Sequence, residues 1–586
     1  MGINMIFLKK INYILNKKQK WQLLGILFLI LTGSIFELLG VSAILPLINV
    51  VLQPDVITSN RYYAYIADIF HITNNRDFIC FFAGVLCVVY VVKNVYLLLS
   101  KNIQLRFSFG IQRRISIRLM DCYLHQDYLF HVAHNVSELQ RNIRSDVQQF
   151  FSTITTTMYL LVEVFTCIML VIFLIVADIG TTSLVVGILL VVLFVFWMIY
   201  RKVQVQFGRE ARAAGEKMNK WLLQSFAGIK EIKVLNREKF FLNNYDMAFR
   251  ESIKSARSSS IVSTLPKHVI EPLCICSMLI VMCIRIQGGA DVEGFISTLA
   301  IFAVAAMRML PSFNRITEYM GGIMYNKASV DNVFMDLKEA EELGRRELLQ
   351  IHDIAKLSLK NEIKVSNLSF TYPNTTKKIF LDASVFIKKN KSVAFVGSSG
   401  AGKTTLADII IGLLKPEKGQ VFVDDIDVFT HLDAWHKSIG YIPQMIYLMD
   451  DTIRANVVFG MSENEIDDEK VWKALERAEL ADFIKELEKG IYTEVGDRGV
   501  RLSGGQRQRI GIARALYMEP EVLILDEATS ALDNETEAAV MESIESLQGQ
   551  TTMIIIAHRL TTIQNCDEIY EVDKGKITLK SSKNNK

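Results

Sequence analysis

The residues most able to do chemistry form one run, Gly397-Ser398-Ser399-Gly400-Ala401-Gly402-Lys403-Thr404-Thr405. It fits G-x-x-x-x-G-K-[ST], a loop whose glycines let backbone N–H groups approach phosphate oxygens. The apolar residues 393–396 predict a strand before it, and residues 406–414 predict a helix after it. A helix N-terminus adds a field that favours negative charge. In such a loop Lys403 neutralises β/γ-phosphate charge, and Thr404 is placed to ligate Mg²⁺.

A second run, Val522-Leu523-Ile524-Leu525-Asp526-Glu527, is continuously apolar until two acids end it. That is the pattern of a strand buried on both faces. Asp526 would hold Mg²⁺, and Glu527 would polarise an attacking water as general base. A third run, Leu502-Ser503-Gly504-Gly505-Gln506, opens a helix running through Arg514. Ser503 suits an N-cap, and Gly504, Gly505 and Gln506 complete a second anion site. Two phosphate sites far apart in one sequence make sense if two copies pair, each nucleotide closed between residues 397–405 of one and 502–506 of the other.

These elements need a frame. Hydrophobic residues make up 51% of the 586-residue chain and charged residues 22%. The mean hydropathy is +0.26, which disfavours an all-soluble protein. The net charge of +3 disfavours a nucleic-acid partner with a broad basic face. Eight cysteines, without a C-x-x-C pair, suggest neither a disulfide scaffold nor a metal site. Six apolar stretches reach membrane-spanning length: 21–52, 78–100, 154–178, 181–200, 261–286 and 294–316. Pro46 and Pro311 are expected kink sites in the first and last. Lysines 9, 10, 17, 18 and 20, with no acid among them, place the N-terminus inside. Phe7, Ile11, Ile14 and Leu15 share a helical face and predict a helix lying along the inner surface. The arginine- and lysine-rich segments 101–153 and 201–260 read as inward extensions of the membrane helices. Residues 60–72 carry apolar side chains at helical spacing, readable as a small outer helix or a packed loop. The domain limits expected are 1–320 for the membrane domain, 321–360 for a charged linker and 361–586 for the nucleotide-binding domain.

The chain resembles the ATP-binding-cassette (ABC) family on these motifs. The resemblance implies that Tyr372 stacks on adenine, Gln444 senses Mg²⁺ and water, and His558 contacts the γ-phosphate. Ser530-Ala531-Leu532-Asp533 would be the loop crossing the dimer. The implied fold is a membrane α-helical domain of six transmembrane helices, ABC exporter type, followed by an α/β P-loop ATPase domain. Thr493-Glu494-Val495-Gly496-Asp497 resembles an exporter-specific loop, with Asp497 where Glu is more usual. Coupling segments are implied near 125–140 and 220–232. The family also implies a homodimer that binds and hydrolyses ATP with Mg²⁺ in a bacterial inner membrane, its ATPase domain in the cytoplasm.

For the cargo, ionisable residues within membrane spans are the informative ones. They are Glu37, Lys93, Glu163, Lys267, Glu271 and Arg308, with Arg315 near a helix end. Lys93, Lys267, Arg308 and Arg315 would together line a cationic cavity suited to a phosphate or pyrophosphate. The alternative is that Lys267 pairs with Glu271 while Lys93 and Arg315 snorkel to the inner surface. Residues 34–37 and 45–48, with Met307-Arg308-Met309-Leu310-Pro311, resemble the bacterial lipid-linked oligosaccharide flippases of protein N-glycosylation (PglK type). That resemblance implies that a polyprenyl-pyrophosphate-linked glycan is turned from inner to outer leaflet, so the expected lipid or glycolipid cargo is an anionic lipid-linked oligosaccharide or related polysaccharide precursor. Lys93 and Lys267 stand where those flippases use arginine, which weakens bidentate grip. A multidrug or lipid A-like exporter is the alternative cargo reading. A soluble ABC ATPase without transport is the alternative class, and six apolar spans argue against it.

Overall fold

The computed structural model describes residues 13–42, 65, 70, 75–177, 179–287, 292–342, 355–373, 375–527, 534–556, 563, 565–582. Residues 1–12 of the segment read as an interfacial helix, Pro46, most of 60–72, residues 530–533 and His558 lie outside them. The side chains of residues 292–308, Arg308 among them, also lie outside the description, although the helix carrying them is defined. The chain divides into two compact units, Met1–Gln126 with His134–Arg345, and Asp127–Ala133 with Arg346–Lys586.

The first unit is helical. Its long helices are α1 (Lys17–Ser42), α2 (Asn75–Leu124), α3 (Val147–Ala177), α4 (Ile179–Ala227), α5 (Glu238–Gln287), α6 (Val292–Tyr325) and α7 (Lys327–Glu342). Among the described residues, α1, α2 and the stretch into α3 hold windows apolar and long enough to cross a membrane. Within the described residues, each expected span falls on one of the first six helices; residues 43–52 of the first span lie outside them. Those helices outrun the spans: α2 reaches 24 residues past residue 100, because nothing in that polar stretch breaks a helix. Asn16 starts α1 as its cap. Its Oδ1 accepts from the Gln19 N–H at 2.9 Å, while Gln19 Oε1 accepts from the Asn16 N–H at 3.2 Å. Pro266, Pro272 and Pro311 sit inside α5 and α6, where membrane helices tolerate proline.

Polar side chains tie these helices where they leave the apolar zone. Tyr123 of α2 donates to Asp336 Oδ2 of α7 at 2.9 Å, and Asn142 Nδ2 donates to the Tyr123 oxygen at 3.3 Å. Arg141 pairs with Glu216 of α4 at 2.7 Å, and Arg212 of α4 pairs with the buried Asp146 at 3.1 Å. Asn142–Asp146 is a π-helical turn joining these partners. Burial pushes the Asp336 carboxyl above its ordinary value and raises the Tyr123 phenol.

The second unit holds two sheets. One is antiparallel, in the order β2-β1-β4-β5, from β1 (Glu362–Thr371), β2 (Lys378–Lys388), β4 (Lys418–Val423) and β5 (Ile426–Asp427). The other has the order β10-β9-β3-β8-β7-β6. It contains β3 (Ser392–Val396), β6 (Ile439–Ile442), β7 (Val522–Asp526), β8 (Thr552–Ile556), β9 (Glu568–Asp573) and β10 (Lys576–Ser582). All its pairings except β10–β9 are parallel. Every residue of β7 and β8 is buried, as a two-sided apolar strand requires. Leu129, in the short helix Tyr128–Ala133, packs on the core that includes Phe395, Leu406 and Trp435.

Candidate functional site

Parallel strands release their C-terminal ends along one sheet edge, where α/β sheets gather ligands. Here β3, β6 and β7 deliver the phosphate loop, Gln444 and Asp526-Glu527 to that edge. Adjacent pairing of β6 with β7 aligns Ile442 with Leu525, so Gln444 and Glu527 emerge side by side. Gln444 Nε2 donates to Glu527 Oε2 at 2.8 Å. β8, between β3 and β7, ends at Ile556, two residues before His558.

The loop turns into α8 (Lys403–Ile411) through Gly402, at φ +105°. A Cβ at Gly402 would lie 2.7 Å from Ile379 Cγ2, and one at Gly397 would overlap the Val572 carbonyl oxygen. Both sites therefore demand glycine. The helix begins at Lys403 rather than 406, and Gly412 at φ +93° ends it before the expected 414. The loop's N–H groups at Gly400, Gly402, Lys403 and Thr404 donate to no acceptor among the described residues, while Ala401 donates to the Ser398 carbonyl. Ser398, Ser399 and Gly400 of this turn are all exposed. The cradle thus presents unpaired donors outward, which fits a polyphosphate.

Lys403 is buried, its amine donating to the Gly397 and Ser398 carbonyls at 3.0 and 3.1 Å. Burial pulls its ammonium below the ordinary value, opposed by Glu527 and Asp526. Thr404 Oγ1 donates to Asp526 Oδ1 at 3.3 Å. Burial pushes the Asp526 carboxyl up, while the Thr404 hydroxyl and Lys403 pull it down and Glu527 adds to the rise. A buried carboxylate and a hydroxyl beside it form an oxygen donor set of the kind Mg²⁺ takes, with Gln444 next in reach. Glu527 sits in the left-handed region at φ +49° and donates its N–H to the Ile556 carbonyl at 2.9 Å. This conformation turns the chain sharply off β7 and sets two successive carboxylates apart.

Tyr372 lies at the end of β1, its hydroxyl 3.1 Å from Thr405 Oγ1 and its ring edge-on to Phe370. Ser503 caps α9 (Gly504–Tyr517): its Oγ accepts from the Gln506 N–H at 3.2 Å, and Gln506 Oε1 accepts from the Ser503 N–H at 2.8 Å. No described hydrogen bond joins residues 503–506 to the phosphate loop. The structure therefore brings together Tyr372, residues 397–405, Gln444, Asp526 and Glu527, while the described hydrogen bonds of Ser503 and Gln506 are to each other.

In the first unit, the charges meet as pairs. Lys93 Nζ lies 3.4 Å from Glu37 Oε2, both side chains about one-tenth exposed. Arg315 makes a two-pronged contact with Glu163, Nε to Oε1 at 2.7 Å and Nη2 to Oε2 at 3.3 Å. Neither pair was foreseen; snorkelling was the expected alternative, and both cations turn inward to a carboxylate instead. Lys267 and Glu271 are exposed. A cavity of about 300 Å³ is lined by Glu37, Lys101, Gln104, Glu163, Arg315 and Tyr319, among others. Lys101 was missed because it opens the stretch read as an inward extension. Its i+3 and i+4 spacing from Leu98 and Leu97 placed it on the same turn as the last apolar residues.

Two family models match: ABC transporter transmembrane region over residues 55–309, and ABC transporter over residues 380–530. An ATP-dependent lipid A-core flippase of Francisella novicida is 34% identical over 363 residues, 60% of this chain and 59% of that protein. The flippase of the same name in Nitrosococcus oceani is 28% identical over 66% of this chain and 64% of its own length. The one in Cupriavidus metallidurans is 28% identical over 81% and 80%. The matched region of the first relative is thus about three-fifths of that protein's length. The fold of a bacterial Atm1-family ABC exporter solved with ATP bound superposes with a TM-score of 0.72, at 22% identity, over 96% of this chain and 95% of that one. With a membrane region and a nucleotide-binding region each matched on its own segment, the chain belongs to the ABC transporters, and it has the fold of an ABC exporter along nearly its whole length.

Proposed function

We propose that this chain is one half of a homodimeric, ATP-driven exporter that moves an anionic lipid-linked saccharide across the bacterial inner membrane, its ATPase unit in the cytoplasm. The observation that carries the reading is the pairing of Lys93 with Glu37 and of Arg315 with Glu163 within the spans, with Glu37, Glu163 and Arg315 lining one cavity. Charges so placed are costly, and mark a cargo path by default. An anionic head group would exchange with Glu37 and Glu163 for the same cations. Lys267 and Arg308 are assigned to the same path on their positions in α5 and α6.

In the ATPase unit, residues 397–405 take the polyphosphate of ATP and Tyr372 stacks on its adenine. Thr404, Asp526 and Gln444 hold Mg²⁺, which when bound supplies charge neutralisation at the phosphates. Glu527 takes a proton from the attacking water, and Gln444, bonded to its carboxylate, orients it. His558 is assigned the γ-phosphate contact. Residues 503–506 of one copy complete the site of the other, in keeping with the lack of a described hydrogen bond from them to the phosphate loop of the same chain. The domain limits 1–320, 321–360 and 361–586 are retained in this reading.

Two cargo classes follow from two observations. The residues around Glu37 and Arg308 favour a polyprenyl-pyrophosphate oligosaccharide. The names of the relatives favour a lipid A-core glycolipid. Stimulation of ATP turnover in nanodiscs by each lipid separates them: the cargo raises turnover several-fold at micromolar concentration, and the other does not. Stimulation by neutral drugs alone would replace both with the multidrug reading.

A further inference from the structure

A second cavity, about 700 Å³, opens beside the start of α1. Tyr13, Leu15 and Asn16 form one wall, and Arg113, Arg114 and Arg118 of α2 form the other. We propose that it holds the phosphate of an anionic phospholipid of the inner leaflet, as a lipid site distinct from the cargo path.

Three observations support this. First, the charge is lopsided. Arg113 and Arg114 face a single lining carboxylate, Asp121, and His125 already lies 3.3 Å from that carboxylate. Arg113 and Arg114 are exposed and make no ion pair among the described residues. Arginine forks suit phosphate oxygens.

Second, the depth is that of head groups. α1 and α2 run antiparallel: Gly40 meets Lys93, Gly33 meets Leu97, and Leu15 and Asn16 share the cavity with Arg113 and Arg114. Trp21, 75% exposed, and Phe109, 56% exposed, therefore stand at one level just above the cavity. Exposed aromatics of that kind mark the membrane interface. Asn16 lies five residues beyond Trp21, about 8 Å along the helix axis, and the head-group zone outside the hydrocarbon is about 5–8 Å thick.

Third, Lys17, Lys18 and Lys20 stand at the same end of α1, so the surrounding surface attracts an anionic leaflet. Basic pockets between membrane helices on the cytoplasmic side are a recurrent form of anionic head-group recognition. The inference rests on the membrane orientation in the proposed function, but not on its cargo.

The test is lipid retention by the full-length dimer in detergent, read by native mass spectrometry. Phosphatidylglycerol and phosphatidylcholine are titrated separately. Wild type is expected to hold phosphatidylglycerol at least about 10-fold more tightly than Arg113→Gln/Arg114→Gln, from the loss of two cations near the surface. Phosphatidylcholine retention should be equal in both. Since both arginines are exposed and outside any ion pair among the described residues, thermal unfolding and ATP turnover of the variant should match wild type. Arg113→Lys/Arg114→Lys should recover part of the difference. Equal phosphatidylglycerol retention by wild type and the glutamine variant overturns the proposal. A second arm uses inorganic phosphate and pyrophosphate as soluble probes. Protection of wild type against unfolding by millimolar phosphate, lost in the variant and without any preference for phosphatidylglycerol, would assign the cavity to a soluble anion instead.

Discussion

The two units of this chain handle charge in opposite ways. In the ATPase unit, Lys403, Thr404, Gln444, Asp526 and Glu527 converge on one open edge, with loop N–H groups left to donate outward. In the helical unit, cations and carboxylates neutralise each other inside: Lys93 with Glu37, Arg315 with Glu163. The first arrangement is poised for a ligand that is always polyanionic and arrives from water. The second stands in a low-dielectric medium, where an unpaired ion costs several kcal/mol. In the proposed reading, a site in a membrane span carries its own counter-ions, and binding there would be an exchange of partners rather than the filling of a charged hole.

That contrast can be broken at several points. The largest effect belongs to Glu527→Gln: ATP turnover should fall about 100-fold or more, the scale of a lost general base, while a filter assay shows ATP binding retained. Turnover near wild type would remove Glu527 from the chemistry. Next, Glu37→Gln strands Lys93 in the span and should cost about 3–5 kcal/mol of stability. Glu37→Gln/Lys93→Gln should return most of it, read by thermal unfolding in nanodiscs. A double variant as unstable as the single would show that the pair is not the reason.

A smaller effect is expected at the polar junction of Tyr123, Asp336 and Asn142. Tyr123→Phe should cost about 1 kcal/mol, the worth of a hydrogen bond. Asp336→Asn should do the reverse. Burial raises the Asp336 carboxyl in the fold, Asp146 and Glu339 of like charge add to the rise, and the Tyr123 bond and Arg212 oppose it. Its contribution to stability is thus complete below the unfolded carboxylate pKa, and is lost as pH rises through the folded value. A neutral amide in place of the Asp336 carboxylate escapes that loss. The Asp336→Asn variant should therefore match or exceed wild type in thermal stability at pH 8, with the difference shrinking as pH falls into the acid range.

What was legible in the sequence follows the same division. The ATPase site could be read because each strand hands its chemistry to the next few residues: Val396 to Gly397, Leu525 to Asp526, Ile442 to Gln444. Parallel pairing then does the gathering, and the period of apolar residues announces the strands. Helix limits were less exact. Gly412 ends α8 earlier than the apolar run suggests, since a left-handed cap overrides propensity. In the helical unit the spans were legible from hydropathy, but not the pairings. Glu37 and Lys93 are 56 residues apart and Glu163 and Arg315 are 152 apart, and hydropathy carries no information on which faces of two helices meet. Lys101 and Gln104 joined the cavity for the same reason, since a long helix does not announce where its membrane portion ends.

The account's central claim is that ATP turnover in one unit moves an anionic lipid past the paired charges of the other. The most direct measurement is translocation of a pyrophosphate-linked or lipid A-core glycolipid in proteoliposomes, with ATP turnover followed in the same vesicles. Wild type should move one of them only with ATP, Glu527→Gln should move neither, and a variant with Lys93 and Arg315 changed to Gln should hydrolyse ATP without translocation. Wild type that turns over ATP yet moves no anionic lipid, or a charge variant that translocates as well as wild type, would contradict it.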